Sequence, residues 1–259
     1  MSDNADLFID DPAPHVRRIR LNRPEKRNAL ATPLLEALAV AVSAADDDPQ
    51  IRCLIVTGGE EVFAAGADLK EMASKDARGG LDDPRPALWG RVRGCRKPII
   101  AAVEGWCLGA GNEFLMCCDL AIAGAGAKFG QPETNLGIIP GAGGAATLPR
   151  LVGRSRAMRM VLLGEPIGAE EAVELGLIAE AVEKGQANAR ALELAEKIAG
   201  RAPLAMQQAK AVVRSAFEVG ESQALSLERQ AFSLLLGTDD KAEGVAAFFE
   251  KRAADWKGQ

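Results

Sequence analysis

Three short segments of this chain are almost entirely apolar, and helical stretches lie between them. The segments are CLIVT at 53–57, PIIAAV at 98–103 and DLAIA at 119–123. Runs of this kind, rich in β-branched residues, are typical of parallel strands that are buried on both faces. Strands that alternate with helices predict an α/β fold, which we expect to extend from residue 15 to about residue 182.

The two ends of the chain have different patterns. VRRIRLNRP, which begins at Val16, predicts a first strand that ends at Pro24, and Thr32 with Pro33 predicts the N-cap and first residue of a helix. From residue 184 onward every segment is helical in pattern, with Gly or Pro at the breaks.

The helical end is too small to form a stable core alone. We place a boundary between residues 190 and 205 and divide the chain into a core at 1–195 and a helical C-terminal region at 196–259. We expect this region to pack against something else, and a partner subunit is the most economical choice.

Composition excludes several kinds of chemistry. The single histidine, His15, lies in a basic segment near the N-terminus, where we expect a surface position. Ser-His-Asp and Cys-His catalysis both need a histidine in the site. The five cysteines are odd in number, lie among apolar residues and lack metal-ligand spacing. We interpret them as reduced core residues and expect no metal site.

The net charge and the lack of long apolar runs limit the partners and the cellular location that we expect. The net charge of −5 offers no electrostatic basis for binding nucleic acid or an anionic membrane. The acidic start, MSDNADLFIDD, lacks the apolar stretch of a signal peptide, and no apolar run approaches the roughly 20 residues of a membrane span. We therefore expect a cytoplasmic protein.

The first candidate site segment is FAAGADLKEM at 63–72. Its small residues would let a ligand approach the backbone, and Asp68 and Glu71 have the spacing of a capping box. Ala67 would then precede a helix start, where free amides and the positive end of the helix dipole face outward. Taken alone, the segment also fits an ordinary loop followed by a well-capped helix.

The second candidate segment is GWCLGAGNEFLMCCD at 105–119. A Gly-rich turn precedes a predicted helix, but the third glycine of the dinucleotide-binding fingerprint is missing. We expect the helix to begin with Glu113, which could be a surface acid that complements the helix dipole. Because its neighbours are apolar, it is equally a candidate site residue.

The third candidate segment is FGQPETNLGIIPGAGG at 129–144. Its glycines predict irregular structure, either a surface loop or a source of exposed amides, and no P-loop motif is present. Together the three segments supply two small-residue turns and two glutamates, Glu113 and Glu133, 20 positions apart. Two amides suit an oxyanion, and two carboxylates suit paired acid and base chemistry on a water molecule.

These three segments, with LNRPEKRNAL at 21–30 and AFFEKR at 247–252, resemble the crotonase, or enoyl-CoA hydratase/isomerase, superfamily. The resemblance implies the family's spiral of ββα units with a helical C-terminal region, assembled as a trimer or a dimer of trimers. It also implies an acyl-CoA substrate and no separate cofactor, since coenzyme A is part of the substrate.

The resemblance also implies roles for individual residues. The amides of Ala67 and Ala110 would form an oxyanion hole for the thioester carbonyl. Glu113 would hold the water and take its proton, Glu133 would give a proton to Cα, and Gly141 would place its amide near the water. Residues that match coenzyme A contacts of the family, the last of them towards a neighbouring subunit, are Lys26, Arg27, Ala65, Ala67, Asp68, Leu69, Lys70, Ala110 and Lys251.

The presence of two candidate catalytic acids, Glu113 and Glu133, favours a hydratase over the other activities of the family. An isomerase, which only moves a double bond, usually keeps one acid near position 133 and is the alternative, together with a non-catalytic binding protein of the same fold. Both a general short-chain hydratase and a branch of the family that acts on 2,3-dehydroadipyl-CoA fit the sequence.

The stretch that carries Arg85 lies where family members vary the wall of the acyl pocket. Trp89 with Leu88 could form an apolar wall. Arg85 has two interpretations: a solvated loop arginine that balances Asp82 and Asp83, which the weak energetics of exposed ion pairs favours, or a guanidinium that binds the distal carboxylate of a dicarboxylyl-CoA.

Overall fold

The computed structural model describes residues 6–259. The first five residues, part of the acidic start, lie outside the described range. The strands are β1 (Leu7–Ala13), β2 (Val16–Leu21), β3 (Cys53–Thr57), β4 (Val62–Ala64), β5 (Ile99–Val103), β6 (Trp106–Leu108), β7 (Leu120–Gly124), β8 (Lys128–Gly130), β9 (Ile167–Gly168) and β10 (Glu180–Val182).

Twelve helices connect and follow these strands in the described chain, together with 3-10 turns at Pro24–Lys26 and Glu133–Leu136. The helices are α1 (Thr32–Asp47), α2 (Leu69–Ala73), α3 (Ala77–Leu81), α4 (Arg85–Arg93), α5 (Ala110–Leu115), α6 (Gly144–Val152), α7 (Arg154–Leu163), α8 (Ala169–Glu174), α9 (Ala187–Ala199), α10 (Pro203–Ser215), α11 (Glu221–Leu235) and α12 (Asp239–Glu250).

The strands form two sheets. The larger sheet has the order β1-β2-β3-β5-β7-β10, and the smaller has the order β4-β6-β8-β9. Among the strands of residues 6–259, only β1 with β2 and β8 with β9 pair antiparallel. In the larger sheet Val56 lies opposite Ala101, and Ala101 lies opposite Ala121. The apolar segments therefore form adjacent central strands, as the sequence predicts.

The chain passes repeatedly from one sheet to the other. Strands β3, β5 and β7 of the larger sheet are each followed by a strand of the smaller sheet, β4, β6 and β8, and then by helical structure. This repetition is the expected spiral of ββα units, and the α/β prediction is confirmed.

The two faces of the larger sheet bury different partners because successive side chains of a strand point to opposite faces. Leu54 and Val56 belong to a core shared with α1 and the smaller sheet. Cys53 and Ile55 belong to a second core, which α9 covers with four alanines spaced one turn apart. These small side chains let the helix lie close to the sheet.

The beginning of the chain differs in detail from what the sequence predicts. Thr32 is the first residue of α1 rather than its N-cap, and Pro33 is the second. Residues 7–13, which lack an apolar pattern, form the edge strand β1, where cross-strand ion pairs join Asp10 to Arg18 and Asp11 to Arg17. His15 lies in the turn between β1 and β2 with a φ of 64°, where its Nδ1 donates to the Gln50 carbonyl.

The region after residue 184 is helical, as predicted, and its first helix belongs to the core. The division at 195/196 falls inside α9, whose buried alanines continue to Ala199. Glu104 holds the start of this helix, because its Oε1 accepts from the amides of Gly185 and Ala187. A division of the chain, which stays a prediction, would therefore have to follow α9.

Helix α10 contacts the core through polar groups. Lys210 of α10 pairs with Asp119 at 2.7 Å, and Arg214 donates to the carbonyls of Arg93 and Cys117. Large apolar side chains of α11 and α12 stay exposed, with Phe248 at 79% and Phe249 at 77%. Within residues 6–259, no helix is both long and apolar enough to cross a membrane.

Candidate active site

The three candidate segments meet because they leave neighbouring strands at the same edge of a sheet. Strands β4, β6 and β8 are adjacent and parallel. Ala67 follows β4, Ala110 follows β6 and Glu133 follows β8. Ligands of parallel sheets bind at the carboxyl ends of the strands, so this edge is the expected place for a site.

Glycines bring the first two segments into contact. A Cβ built on Gly109 would lie 3.6 Å from Cα of Gly66, and these two residues directly precede Ala110 and Ala67. Gly109 has φ 51° and ψ −123°, a conformation that favours glycine. The two turns therefore lie side by side, each followed by one of the predicted oxyanion amides.

Both of these amides are free to bind a ligand. Ala110 is the first residue of α5, so its N–H has no partner within the helix. Ala67 pairs with Leu30 as an isolated bridge, and the bond that the bridge provides runs from Leu30 to the carbonyl of Gly66. In the described chain neither N–H donates to another residue.

Alanine fits the backbone conformation at position 110, which is that of an ordinary helical residue. Ala110 lies in α5, and its φ is not positive. The helix begins at Ala110, three residues earlier than predicted, because Gly109 already supplies the turn. Glu113 is therefore in the second half of the first turn, and its own N–H donates to the Gly109 carbonyl.

Glu113 is buried and held by two backbone amides. Its Oε1 accepts from the N–H groups of Ala142 and Gly144, both at 2.7 Å. Burial raises the pKa of Glu113, while these amides and the charges of Arg93 and Arg85 oppose the rise. Hydrogen bonds to a carboxylate favour its charged form, so Glu113 is equipped to act as a base.

Arg93 supports the loop that carries these amides. Its Nη2 donates to the carbonyl of Ala142, and its guanidinium lies 5.9 Å from the ring centre of Trp89. The positive charge thus fixes the same residue whose N–H binds Glu113.

Glu133 occupies the start of the 3-10 turn that follows β8. Burial raises its pKa to about 7, and the nearby charge of Glu113 adds to the rise. A carboxyl group with this pKa is partly protonated at neutral pH and can donate a proton. Two acids with different hydrogen-bond partners suit separate acid and base roles.

Gln131 and Asn112 connect to Glu133 inside the protein. In the amide orientation that satisfies its neighbours, Gln131 donates to Oε1 and Oε2 of Glu133 at 3.0 and 3.1 Å. Its oxygen then accepts from Nδ2 of Asn112 at 3.3 Å. Since the reversed amide presents an acceptor instead, Gln131 can satisfy Glu133 in either protonation state.

A cavity of about 490 Å³ unites these groups, a volume within the usual range for small-molecule sites. The predicted residues that line it are Ala65, Ala67, Leu69, Ala110, Glu113, Glu133 and Gly141. Lys26, Arg27, Asp68, Lys70 and Lys251 do not line it.

A backbone hydrogen bond connects two of the segments that carry the predicted coenzyme A residues. Ala65 donates its N–H to the carbonyl of Arg27 at 3.0 Å, which joins the segment of Lys26 to the loop before α2. Lys26, Arg27 and Lys70 are all exposed. Lys251 lies elsewhere, as the C-cap of α12 with a φ of 55°.

The expected capping box does not form. Asp68 caps α2 by accepting from the amide of Lys70 at 3.0 Å. Glu71 instead reaches α1, where it accepts from the N–H of Thr32 at 2.9 Å and from its hydroxyl at 2.9 Å. Glu71 therefore caps a helix that begins 39 residues earlier and fixes the loop of Ala67 against it.

The acyl wall differs in part from the prediction. Trp89 is buried, lines the cavity and lies with its ring 6.4 Å from that of Phe114, whereas Leu88 does not line the cavity. Arg85 is the first residue of α4, lines the cavity and is paired with Asp83. It is neither in a loop nor fully solvated.

The irregular structure predicted for 129–144 is only partly present, because Lys128–Gly130 is a strand and Glu133–Leu136 a 3-10 turn.

The cysteines lie outside the cavity lining, and burial raises the pKa of Cys53 to about 12 and that of Cys117 to about 11. Sequence reasoning missed Arg93, Asn112 and Gln131. Arg93 is one of several basic residues in GRVRGCRK at 90–97, and nothing in the sequence distinguishes it from the others.

Comparisons with known proteins find relatives along nearly the whole chain. The family model described as enoyl-CoA hydratase/isomerase matches residues 13–259. A 2,3-dehydroadipyl-CoA hydratase of Escherichia coli is 47% identical, with 93% of this chain and 94% of that protein covered. A mitochondrial enoyl-CoA hydratase of Pongo abelii is 40% identical, with 93% and 83% covered.

A solved structure shares the whole architecture. The crystal structure of an enoyl-CoA hydratase from Bacillus anthracis superposes with a TM-score of 0.93 at 38% identity, covering 98% of this chain and all of the other. Because the family model matches residues 13–259 and these relatives are 38–47% identical to the chain, the chain belongs to the enoyl-CoA hydratase/isomerase family.

Proposed function

We propose that this protein is an enoyl-CoA hydratase, which adds water syn across the 2,3 double bond of a 2-enoyl-CoA thioester. One observation carries the proposal: two free backbone amides, the buried Glu113 and the half-buried Glu133 line a single cavity. This set matches a reaction that builds negative charge on a carbonyl oxygen while water gives up a proton.

The amides of Ala67 and Ala110 would bind the thioester oxygen. Attack of water on Cβ moves negative charge to this oxygen, and both N–H groups would donate to the resulting enolate. Ala110 adds the positive end of the α5 dipole. Losing one such donor typically costs about 10²- to 10³-fold in rate.

The two glutamates would divide the proton transfers. Glu113, whose Oε1 is fixed by two amides, would hold the water and, as the carboxylate, take its proton. Glu133, with a pKa of about 7, would give its proton to Cα. The amide of Gly141, which belongs to the cavity lining, would help to hold the water.

The coenzyme A part would lie across the surface next to Ala65. The backbone from Ala65 through Asp68 to Leu69 would contact the adenine end, and Lys26, Arg27 and Lys70 would pair with the phosphates. Lys251 would reach coenzyme A in a neighbouring subunit. Water is the only other reactant, so the reaction requires no separate cofactor.

The specific substrate is proposed from the most informative relative. The Escherichia coli relative is named a 2,3-dehydroadipyl-CoA hydratase, and we propose this thioester as a substrate here. An isomerase is the second candidate from the family name, and the presence of both glutamates in the cavity favours hydration over it.

The deciding experiment incubates the purified protein with crotonyl-CoA and follows loss of the ultraviolet absorbance of the conjugated enoyl thioester. Formation of 3-hydroxybutyryl-CoA would support the hydratase. Conversion of a 3-enoyl-CoA to the 2-enoyl-CoA without hydration would identify an isomerase. Binding of acyl-CoA without either reaction would identify a non-catalytic protein.

We also propose a trimer or a dimer of trimers. The exposed apolar side chains of α11 and α12, among them Leu234 and Phe248, would be covered by a neighbouring copy. Large exposed apolar patches usually mark interaction surfaces.

A further inference from the structure

Three charged side chains form a cluster at the wall of the cavity. Asp83 accepts from Nε of Arg85 at 2.9 Å and from Nζ of Lys75 at 2.7 Å, and Arg85 Nη2 lies 2.8 Å from the same carboxylate. The side chain of Asp83 is only 8% exposed and that of Arg85 only 19%. The pair is therefore shielded from water, unlike an ordinary surface ion pair.

The cluster leaves one guanidinium edge unused. Two cations share one anion, so the net charge of the cluster is +1. Both oxygens of Asp83 are occupied, one of them also by the backbone amide of Arg85. No residue of the described range accepts a hydrogen bond from Nη1 of Arg85. Asp83 thus fixes the guanidinium in place without neutralising the cluster.

The cluster lies at the cavity of the two glutamates. Arg85 and Asp83 both line that cavity. Arg85 lies one turn before Trp89 on α4, and the ring of Trp89 packs against Phe114, the neighbour of Glu113. The charge of Arg85 is close enough to lower the pKa of Glu113.

The spacing suits a short dicarboxylic chain. In an extended six-carbon 2-enoyl chain, the distal carboxylate carbon lies about 4 Å beyond the carbon that receives water. The turn of helix between Trp89 and Arg85 spans about 5.4 Å. The two lengths are similar, so a six-carbon chain whose Cβ lies beside Trp89 is long enough for its end to reach Arg85.

We propose that Arg85 determines substrate specificity by binding the distal carboxylate of a dicarboxylic 2-enoyl-CoA, with Asp83 and Lys75 as positioning residues. A planar guanidinium can donate two parallel hydrogen bonds to a carboxylate. The inference rests on the proposed hydratase function and adds the residue that recognises the distal carboxylate.

The test compares two substrates that differ only in the distal group, 2,3-dehydroadipyl-CoA and trans-2-hexenoyl-CoA. The ratio of their kcat/KM values is measured for the natural protein and for Arg85→Met. Because Arg85 also acts on the pKa of Glu113, both rates can change together, and only the ratio tests selection. We expect the ratio to fall about 10- to 100-fold, mainly through KM for the dicarboxylic substrate.

Arg78→Ala is the matched control. Arg78 lies seven residues earlier, is 90% exposed and pairs only with Asp82 at 3.8 Å. We expect it to leave the ratio unchanged. Lys75→Met removes the second cation behind Asp83, and we expect the ratio to fall by a smaller factor than for Arg85→Met.

A binding measurement separates this proposal from the proposed function. Adipyl-CoA and hexanoyl-CoA cannot be hydrated, so the ratio of their Kd values, measured by calorimetry, tests Arg85 even in an inactive protein. Loss of the adipyl preference in Arg85→Met would support the proposal. Unchanged kcat/KM and Kd ratios would overturn it and assign Arg85 to neutralising Asp83. Absence of hydration of both thioesters would overturn the proposed function alone.

Discussion

The carboxylate of Glu133 occupies the space that Gly109 leaves by having no side chain. A Cβ on residue 109 would lie 2.9 Å from Oε1 of Glu133. The same glycine turns the chain into α5 and so sets the direction of the Ala110 amide. One small residue therefore positions both an oxyanion donor and a candidate acid.

Gly109→Ala is expected to lose most of the activity and some stability. The new methyl would displace Glu133, and residue 109 would keep a φ of 51° that costs alanine about 1–3 kcal/mol. We expect a fall in kcat of at least about 100-fold. Gly90→Ala, in an open position of α4, is the control and should keep full activity. Equal activities of the two variants would contradict this role for Gly109.

Glu113→Gln and Glu133→Gln should each remove most of the hydration while leaving acyl-CoA binding within a few fold. Both side chains act on the water and on Cα, not on coenzyme A. A positioned acid or base typically contributes about 10²- to 10⁴-fold. The measurements are kcat with crotonyl-CoA and Kd for butyryl-CoA. Near-normal turnover in either variant would remove that glutamate from the mechanism.

The rate of hydration should fall as the pH rises above about 7. Glu133 must be protonated to donate, and its raised pKa of about 7 means that the proton is lost in this range. The kcat/KM for crotonyl-CoA should then decrease about tenfold per pH unit on the alkaline side. Stability of the protein is followed in parallel by circular dichroism. A rate that stays constant well above neutral pH, with the fold intact, would exclude Glu133 as the acid.

Glu71→Ala should lower the free energy of unfolding by about 0.5–2 kcal/mol, the usual cost of losing a helix cap. Its carboxylate accepts from the amide and hydroxyl of Thr32. Urea unfolding measures the change. Glu36→Ala, at an exposed position of the same helix, should change stability by less than about 0.5 kcal/mol. Equal changes in the free energy of unfolding for the two substitutions would refute the role of Glu71 as a cap of α1.

The protein should sediment as a trimer or hexamer. Phe248 and Phe249, which are 79% and 77% exposed in one chain, would be buried between copies. The double substitution to serine should shift the distribution towards smaller species. Sedimentation velocity at micromolar concentration measures both proteins, and an active natural monomer would contradict the prediction.

Much of the fold follows from local pattern. The three apolar segments predict the central strands because β-branched residues of a doubly buried strand need no polar face. Because the single histidine excludes catalysis that depends on this residue type, carboxylates and backbone amides are the groups left for chemistry. The small residues before Ala67 and Ala110 predict the turns in which backbone amides stay free. The family resemblance then relates these segments to one another.

Contacts across long sequence separations came only from the tertiary structure. Glu71 has the spacing of a local capping box, yet it caps α1 because the two loops meet at the bridge between Leu30 and Ala67. Asp83 and Arg85 fit a solvated pair by sequence, whereas the packing of α4 against the core makes them part of the cavity.

The sequence by itself determined which residue types are available for chemistry and which segments form strands and helices. The tertiary structure decided which polar side chains are buried and which groups satisfy them. The physical reason is that a buried donor, acceptor or charge must find a partner in three dimensions. For Glu113 that partner is the amide of Gly144, 31 residues further along the chain.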